Sequence, residues 1–289
     1  MTHATEYTPP LLRPFKALRK FGDAPKSGTA RAGHMAFFFI RSLASIPLTL
    51  RHYPKEVWRL LSDVTWGNGS IIVGGGTIGV IIVLSAFGGI TVGMEAFTVL
   101  DMLGFGPVTG GISAFATTRE LGPLLAALAF AAQAGCRFTA QLGTQRISEE
   151  IDALDVIAIR PLPYLVTTRM IAAMIAIIPL YLIGLAVAYV SCRLTVQLLG
   201  GTSTGTYMHY FHTFFLSGDI FFSVIKAVVF AALCTFIQCY YGFFASGGPE
   251  GVGVAAGRAI KMCFIVVVFA NMFLTLAIWG ITPGIRISG

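Results

Sequence analysis

The 289-residue chain is 55% hydrophobic and only 11% charged, with a formal net charge of +7. Soluble domains carry about 25% charged residues, so this composition excludes an ordinary soluble enzyme or binding module and points to a membrane protein. The positive charge reads as a topology signal and an attraction to anionic headgroups, and no nucleic-acid partner is expected.

Residues 1–33 are rich in Pro and basic side chains without sustained periodicity, which predicts a loose cytoplasmic tail. No apolar stretch followed by a small-residue cleavage site occurs before residue 64, so no cleaved signal peptide is expected. Over 34–63, Phe37, Phe38, Phe39 and Ile40 alternate with Arg41, Arg51, Lys55 and Arg59. That is the composition of an amphipathic helical segment lying in the membrane interface, broken near Pro47 and Pro54. The alternative is an extramembrane helix packed on the protein itself.

Residues 64–289 read as one membrane domain. Runs without Asp, Glu, Lys or Arg extend over Val64–Met94, Met170–Cys192, Ala227–Pro249 and Met262–Ile285. Each reaches the roughly 20 residues that a helix needs to cross the hydrocarbon core. A further span is expected over Phe105–Cys136, interrupted by Arg119 and Glu120, which makes five. Trp66 is placed at the opening of the first. Ten of the 20 basic residues precede it, which favours a cytoplasmic amino terminus, and five spans then put the carboxyl terminus outside. A small helical excursion is expected on the outer side around Gly201–Ser217.

Several motifs are weighed and set aside. The stretch GGGTIG, Gly74–Gly79, fits the dinucleotide-binding pattern only formally, because it lies in a predicted span where small residues serve close helix packing. The glycosylation acceptor at Asn68 is on the predicted cytoplasmic side. His209 and His212 have a spacing that a metal could use, but the surrounding Tyr and Phe favour an interfacial helix, and no metal site is expected. Cys136, Cys192, Cys234, Cys239 and Cys263 read as small apolar packing residues, with no disulfide framework. No GxxxxGK[ST] occurs, so the chain has no P-loop for ATP phosphates. His209, His212 and Asp219 are the only loose candidates for an enzyme's catalytic cluster, and no catalytic residues are assigned.

The acidic segment between the second and third spans is different. Glu149, Glu150, Asp152 and Asp155 crowd a short helix expected over 148–159, with Ser148 as N-cap, the first two carboxylates in the first turn and Arg160-Pro161 as the stop. About eleven residues give a rod of about 16 Å, too short to cross a bilayer. Ile147, Ile151, Leu154 and Ala158 share one face, while Glu150, Asp152 and Asp155 lie off it. Such a helix can rest its apolar stripe on one surface and offer carboxylates to another. An ordinary solvated loop helix fits the periodicity as well.

Two longer stretches carry a resemblance. The segment RELGPLLAALAFAAQAGCRFTAQLGTQRISEEIDALDVIAIRPLPYLVTTR, Arg119–Arg169, and the block ending in ASGGPEGVGVAAGRAI, Ile225–Ile260, together resemble the MlaE/YrbE permease family of lipid ABC transporters. The wording EEIDALDVIAIRPLPYLV with the basic amino-terminal tail is most similar to B-type YrbE subunits of actinobacterial Mce systems. The resemblance implies an all-α permease with five transmembrane helices. It implies a second, non-identical permease subunit in the plasma membrane, a cytoplasmic ABC ATPase dimer that holds the ATP and magnesium, Mce proteins outside, and a lipid substrate. This chain would bind no cofactor itself. By position, the resemblance makes the segment from Glu149 through Leu154 to Ile159 the coupling helix. It sets Arg119, Glu120 and Leu121 beside a lipid cavity, although a structural salt bridge at a helix break before Pro123 fits Arg119 and Glu120 equally. Gly248, Pro249, Glu250 and Gly251 fall in a Gly-rich cytoplasmic loop, packed against the coupling helix or the ATPase, with Glu250 capping the next helix or pairing with Arg258. A scaffold that anchors Mce proteins without transport is the main rival reading.

The sequence also departs from the commoner family pattern. Gln133 and Gln141 are neutral where many relatives carry Arg and Glu, and Arg137 adds a positive charge, which suggests a charge pair that is dispensable here.

Overall fold

The computed structural model describes residues 33–66 and 76–280, and every regular element among them is helical. The chain divides into two units, residues 1–44 and 45–289. In the first, the described element is α1 (Gly33–Ala44), in which Ser42 Oγ donates to the Phe38 carbonyl at 2.9 Å while Phe37 and Ile40 stay exposed. The rest of the tail, Asn68 and the amino-terminal part of GGGTIG lie outside the described residues, as do residues 281–289.

The second unit holds α2 (Ile46–His52), α3 (Pro54–Trp66), α4 (Gly76–Met102), α5 (Gly106–Ile147), α6 (Glu150–Val156), α7 (Leu162–Gly200), α8 (Thr204–Phe214), α9 (Ser217–Phe243) and α10 (Gly248–Trp279). Five of them, α4, α5, α7, α9 and α10, are long and apolar enough to cross a membrane. Connectivity therefore sorts the short elements: α6 lies on one side of the five-helix body and α8 on the other.

Helix boundaries depart from the charge-free runs at several places. Trp66 ends α3 and does not open the first span. The apolar residues Val57, Leu60 and Val64, spaced as one helical stripe, are buried, and Val57 and Leu60 pack on Ile171 and Ala172 of α7. Pro54 opens α3 and Pro47 lies in the first turn of α2, where a missing N–H costs nothing. Arg169, Asp219, Lys226, Arg258 and Lys261 all lie inside long helices, so α7, α9 and α10 begin well before the charge-free stretches do. Ser246–Gly253 is likewise not a loop throughout. Gly247 turns the chain at φ 94° and α10 starts at Gly248, with Pro249 and Glu250 in its first turn. Gly251 is required there because a Cβ would sit 1.9 Å from the Ser246 carbonyl oxygen. This end of α10 packs on α5, where Val252 fills the space a side chain at Gly143 would need. Glu250 is exposed and makes no ion pair with Arg258 among the described residues.

Small residues set a close helix approach between α4 and α7. A Cβ on Gly89 would fall 2.2 Å from the Ala188 carbonyl oxygen, and Gly184 sits against Ser85 and Ile81 in the same way. With no water to expel from between them, membrane helices associate largely through such close van der Waals contact. The approach falls further along α4 than GGGTIG. Gly89→Ala should force the two helices apart at an overpacking cost of about 1–3 kcal/mol, read as a lower thermal midpoint of the detergent-solubilised protein.

The cysteines are free and all but Cys136 are buried. Cys192 packs with Val92, Ala114 and Val196, and Cys263 lies against the Cys234 carbonyl.

Candidate functional site

The backbone of α5 prepares the site. Residues Ser113–Leu121 form a π-helical stretch, a rare distortion that frequently accompanies function. It is followed by Gly122 and Pro123. Pro123 has no N–H, so the Arg119 carbonyl loses its ordinary helical partner. That oxygen instead accepts from Lys226 Nζ of α9 at 2.6 Å.

Around this break two ion pairs assemble. Arg119 Nε donates to Asp219 Oδ2 at 2.7 Å, and Trp279 Nε1 donates to Asp219 Oδ1 at 2.9 Å, so both carboxylate oxygens are occupied. The Arg119 guanidinium also lies over the rings of Phe115, at 4.2 Å, and Trp279, at 5.1 Å. Lys226, fully buried, donates to Thr275 Oγ1 at 2.8 Å and lies 3.6 Å from Glu120 Oε1. Glu120 accepts from Asn271 Nδ2 and from Thr275 Oγ1, each at 2.7 Å. Three helices, α5, α9 and α10, thus converge on two cations and two carboxylates whose charges cancel. Ionisable groups in a span are costly and persist where they pair or line a cavity.

Depth follows from helix rise. Arg119 stands thirteen residues from the α5 start and Lys226 nine from the α9 start, so about 20 Å and about 14 Å from the α8-side ends. The network occupies the α8-side half of the body. Glu120 is its most accessible ion, with a side chain 35% exposed against 5% for Arg119 and 0% for Lys226. Arg119 and Glu120 do not form a local salt bridge with each other; each pairs across to another helix. Leu121 points elsewhere, into the cluster of Val92, Ala114, Cys192, Val196 and Tyr207. Sequence patterns alone do not single out Lys226, Asn271, Thr275 or Trp279, and they mark Asp219 only as a loose catalytic candidate. Lys226 does offer a signal, being a lone cation between apolar residues of one span.

Helix α6 is shorter than expected, seven residues from Glu150 to Val156. Ser148 does not cap it. Its hydroxyl donates back to the Thr144 carbonyl at 3.0 Å, closing α5, and Glu149 makes the turn with φ 61°. At the far end Ala158, also at φ 61°, ends the segment before Arg160-Pro161, so Ile159 lies beyond the helix. Ile147 belongs to α5, and Ala158 is exposed, so the shared apolar face reduces to Ile151, which is buried, and Leu154, which is half-buried. Asp152 is paired to Arg146 of α5 at 2.5 Å. Glu149, Glu150 and Asp155 are exposed, next to Val156 and Ile157, which are 86% and 64% exposed. The outward surface is therefore mixed, acidic and apolar.

His209 and His212 lie on α8, and among the described residues no group of three His, Cys, Asp or Glu side chains is arranged to hold a metal.

Comparison with known proteins agrees with this architecture. The family described as "Permease MlaE" matches residues 68–277. The chain is 32% identical over 199 residues to the chloroplastic protein TRIGALACTOSYLDIACYLGLYCEROL 1 of Arabidopsis thaliana, covering 69% of this chain and 57% of that protein. It is 30% identical over 206 residues to a probable ABC transporter permease protein of Rickettsia felis, covering 71% and 79%. It is 26% identical over 249 residues to the intermembrane phospholipid transport system permease protein MlaE of Haemophilus influenzae, covering 86% and 92%.

Proposed function

We propose, from the premise that this chain belongs to the MlaE permease family, that it is the membrane-spanning subunit of an ATP-driven Mce-type lipid transporter. The observation that carries this reading is α6, a short helix at the junction of two spans, where Glu149, Glu150, Asp155, Val156 and Ile157 are exposed. A surface of that kind suits a separate motor protein: Glu149, Glu150 and Asp155 offer anions to basic side chains, and Val156 and Ile157 offer apolar anchors. That ATPase holds ATP and magnesium and hydrolyses the ATP, while this chain supplies no catalytic group. The end of α10 at Gly248–Gly251 lies on the same side of the body and forms part of the same cytoplasmic face.

In this reading the amino terminus and α6 are cytoplasmic, the carboxyl terminus and α8 are outside, and the protein is a multi-pass protein of the plasma membrane. Its 34–63 segment lies at the cytoplasmic interface, with α3 held on α7 by its apolar stripe. A second, non-identical YrbE-type subunit faces it, as the actinobacterial B-type wording suggests, and Mce proteins cover the outer side. The lipid passes at the permease dimer interface beside the Arg119, Glu120, Asp219 and Lys226 network. The Haemophilus relative's name, which specifies phospholipid, supports lipid as the cargo class.

Affinity purification from the native membrane in mild detergent tests this. Wild type should bring down an ABC ATPase and Mce proteins. The variant Glu149→Gln/Glu150→Gln/Asp155→Asn/Val156→Ala should lose the ATPase about tenfold while keeping the Mce proteins. Absence of an ATPase from wild type would move the scaffold reading to the front.

A further inference from the structure

A second polar site lies on the α6 side, away from the buried network. Between α3, α5 and α7 is a cleft of about 780 Å³ lined by Arg59, Asp63, Gln141, Thr144, Gln145 and Arg169. That size falls within the range of about 300–1,000 Å³ typical of small-ligand sites. The charges around it are unevenly matched. Glu56 pairs with Arg59 at 2.5 Å, and Asp63 pairs with Arg137 at 3.1 Å.

Among the described residues, Arg169 makes no ion pair with a carboxylate. It is only 6% exposed, and its Nη1 donates to the Leu165 carbonyl at 2.6 Å. Its Nη2 reaches the neutral Gln141 Oε1 at 3.4 Å, and its Nε has no partner among the described residues. The ring of Phe138 at 5.9 Å is a weak substitute for an anion. A buried cation without a counter-charge is expensive, and the guanidinium's planar set of donors suits phosphate oxygens. The buried Gln145 Oε1 at the same cleft also lacks a partner among the described residues, and it would accept from a hydroxyl or ammonium.

We infer that this cleft binds the phosphate-bearing headgroup of an anionic phospholipid from the α6-side leaflet. The source of the phosphate follows from place. The cleft opens where α5 ends, where α7 begins and where the amphipathic α3 lies along them, which is the level of lipid headgroups. Basic pockets between spans at that level are recognised lipid-headgroup sites. The cleft is larger than a single carboxylate side chain requires. Nothing in this inference uses the coupling role of α6 or the transport pathway.

The test exploits Gln141. Gln141→Glu places a carboxylate of the protein's own against Arg169 and should displace the headgroup without unfolding the chain. The full-length protein in its native complex would be purified in uncharged detergent, offered phosphatidylglycerol or phosphatidylcholine, washed, and its retained lipid counted by native mass spectrometry. Wild type should retain phosphatidylglycerol about tenfold over phosphatidylcholine, and Gln141→Glu should lose that preference with its thermal midpoint unchanged or raised. Arg169→Gln should lose it too, and if that variant fails to fold, Gln141→Glu alone decides. Undiminished phosphatidylglycerol retention in Gln141→Glu overturns the inference. If millimolar inorganic phosphate raises the wild-type midpoint as much as phosphatidylglycerol does, and only through Arg169, the site takes free phosphate and the lipid assignment is overturned.

Discussion

Arg119→Leu should be among the most damaging single substitutions in this chain, and Arg119→Leu/Asp219→Leu should be markedly milder. The single change leaves Asp219 buried with Trp279 Nε1 as its remaining side-chain donor among the described residues. Breaking a buried ion pair from one side costs about 3–5 kcal/mol, whereas removing both partners is often nearly neutral. Asp219 has a side chain only 10% exposed, so solvent can do little to soften the loss. The four forms of a double-mutant cycle, compared by thermal midpoint in one detergent, read the coupling directly. A coupling near zero would mean that Arg119 and Asp219 are bystanders to stability. A large coupling together with an unstable double variant would mean instead that the cation also matters through its stacking on Phe115 and Trp279.

That network explains why the helix boundaries are only partly legible in the sequence. Charge-free runs mark the middle of each span but clip its ends, because the helices also hold charged residues, some paired across helices like Asp219 and Lys226 and others exposed like Arg258 and Lys261. Lys226 marks the edge of a run, yet it lies in α9 between the Arg119 carbonyl and Thr275. The apolarity of Trp66 and Val64 suggests membership of the first span, but Val64 belongs to the stripe of α3, whose Val57 and Leu60 rest on α7. The number of spans and the excursion at α8 follow from length and hydropathy, which is why five helices can be read before any geometry.

The acidic segment shows a different limit. Its exposed carboxylates are readable, but periodicity along a helix cannot show that Asp152 turns back to Arg146. Nor can it show that the chain makes its corner through a left-handed Glu149 where Ser148 has the composition of a cap. Similarly, RELGP announces a helix break through its proline, while the residue that occupies the freed carbonyl comes from about a hundred positions away. Partners of that kind are set by tertiary packing of α5, α9 and α10, and no local pattern in the sequence encodes them.

Glu120→Gln should separate transport from assembly. The amide keeps one oxygen, which can hold the Asn271 bond, while its NH2 faces Thr275 Oγ1, a hydroxyl that can accept it by donating to the Asn271 carbonyl instead, so the contacts joining α5 to α10 persist with one donor reversed. What disappears is the negative charge 3.6 Å from Lys226, and with it the neutrality of the cluster. Glu120 is the network's most accessible ion, so its charge is the one a passing lipid headgroup would meet. A cluster left with one net positive charge should hold an anionic headgroup too firmly and discourage a cationic one. Lipid transfer in reconstituted vesicles is therefore expected to fall at least about tenfold, a change of about 1.4 kcal/mol in the rate-limiting barrier, while the complex assembles with the wild-type yield and melts near the wild-type temperature. Lys226→Met in the same background should restore charge balance and part of the transfer rate. Equal transfer by Glu120→Gln and wild type would assign the pair a purely structural role and move the lipid path away from α5. A loss of assembly in Glu120→Gln would lead to the same structural assignment by another route, since assembly would then require the carboxylate itself.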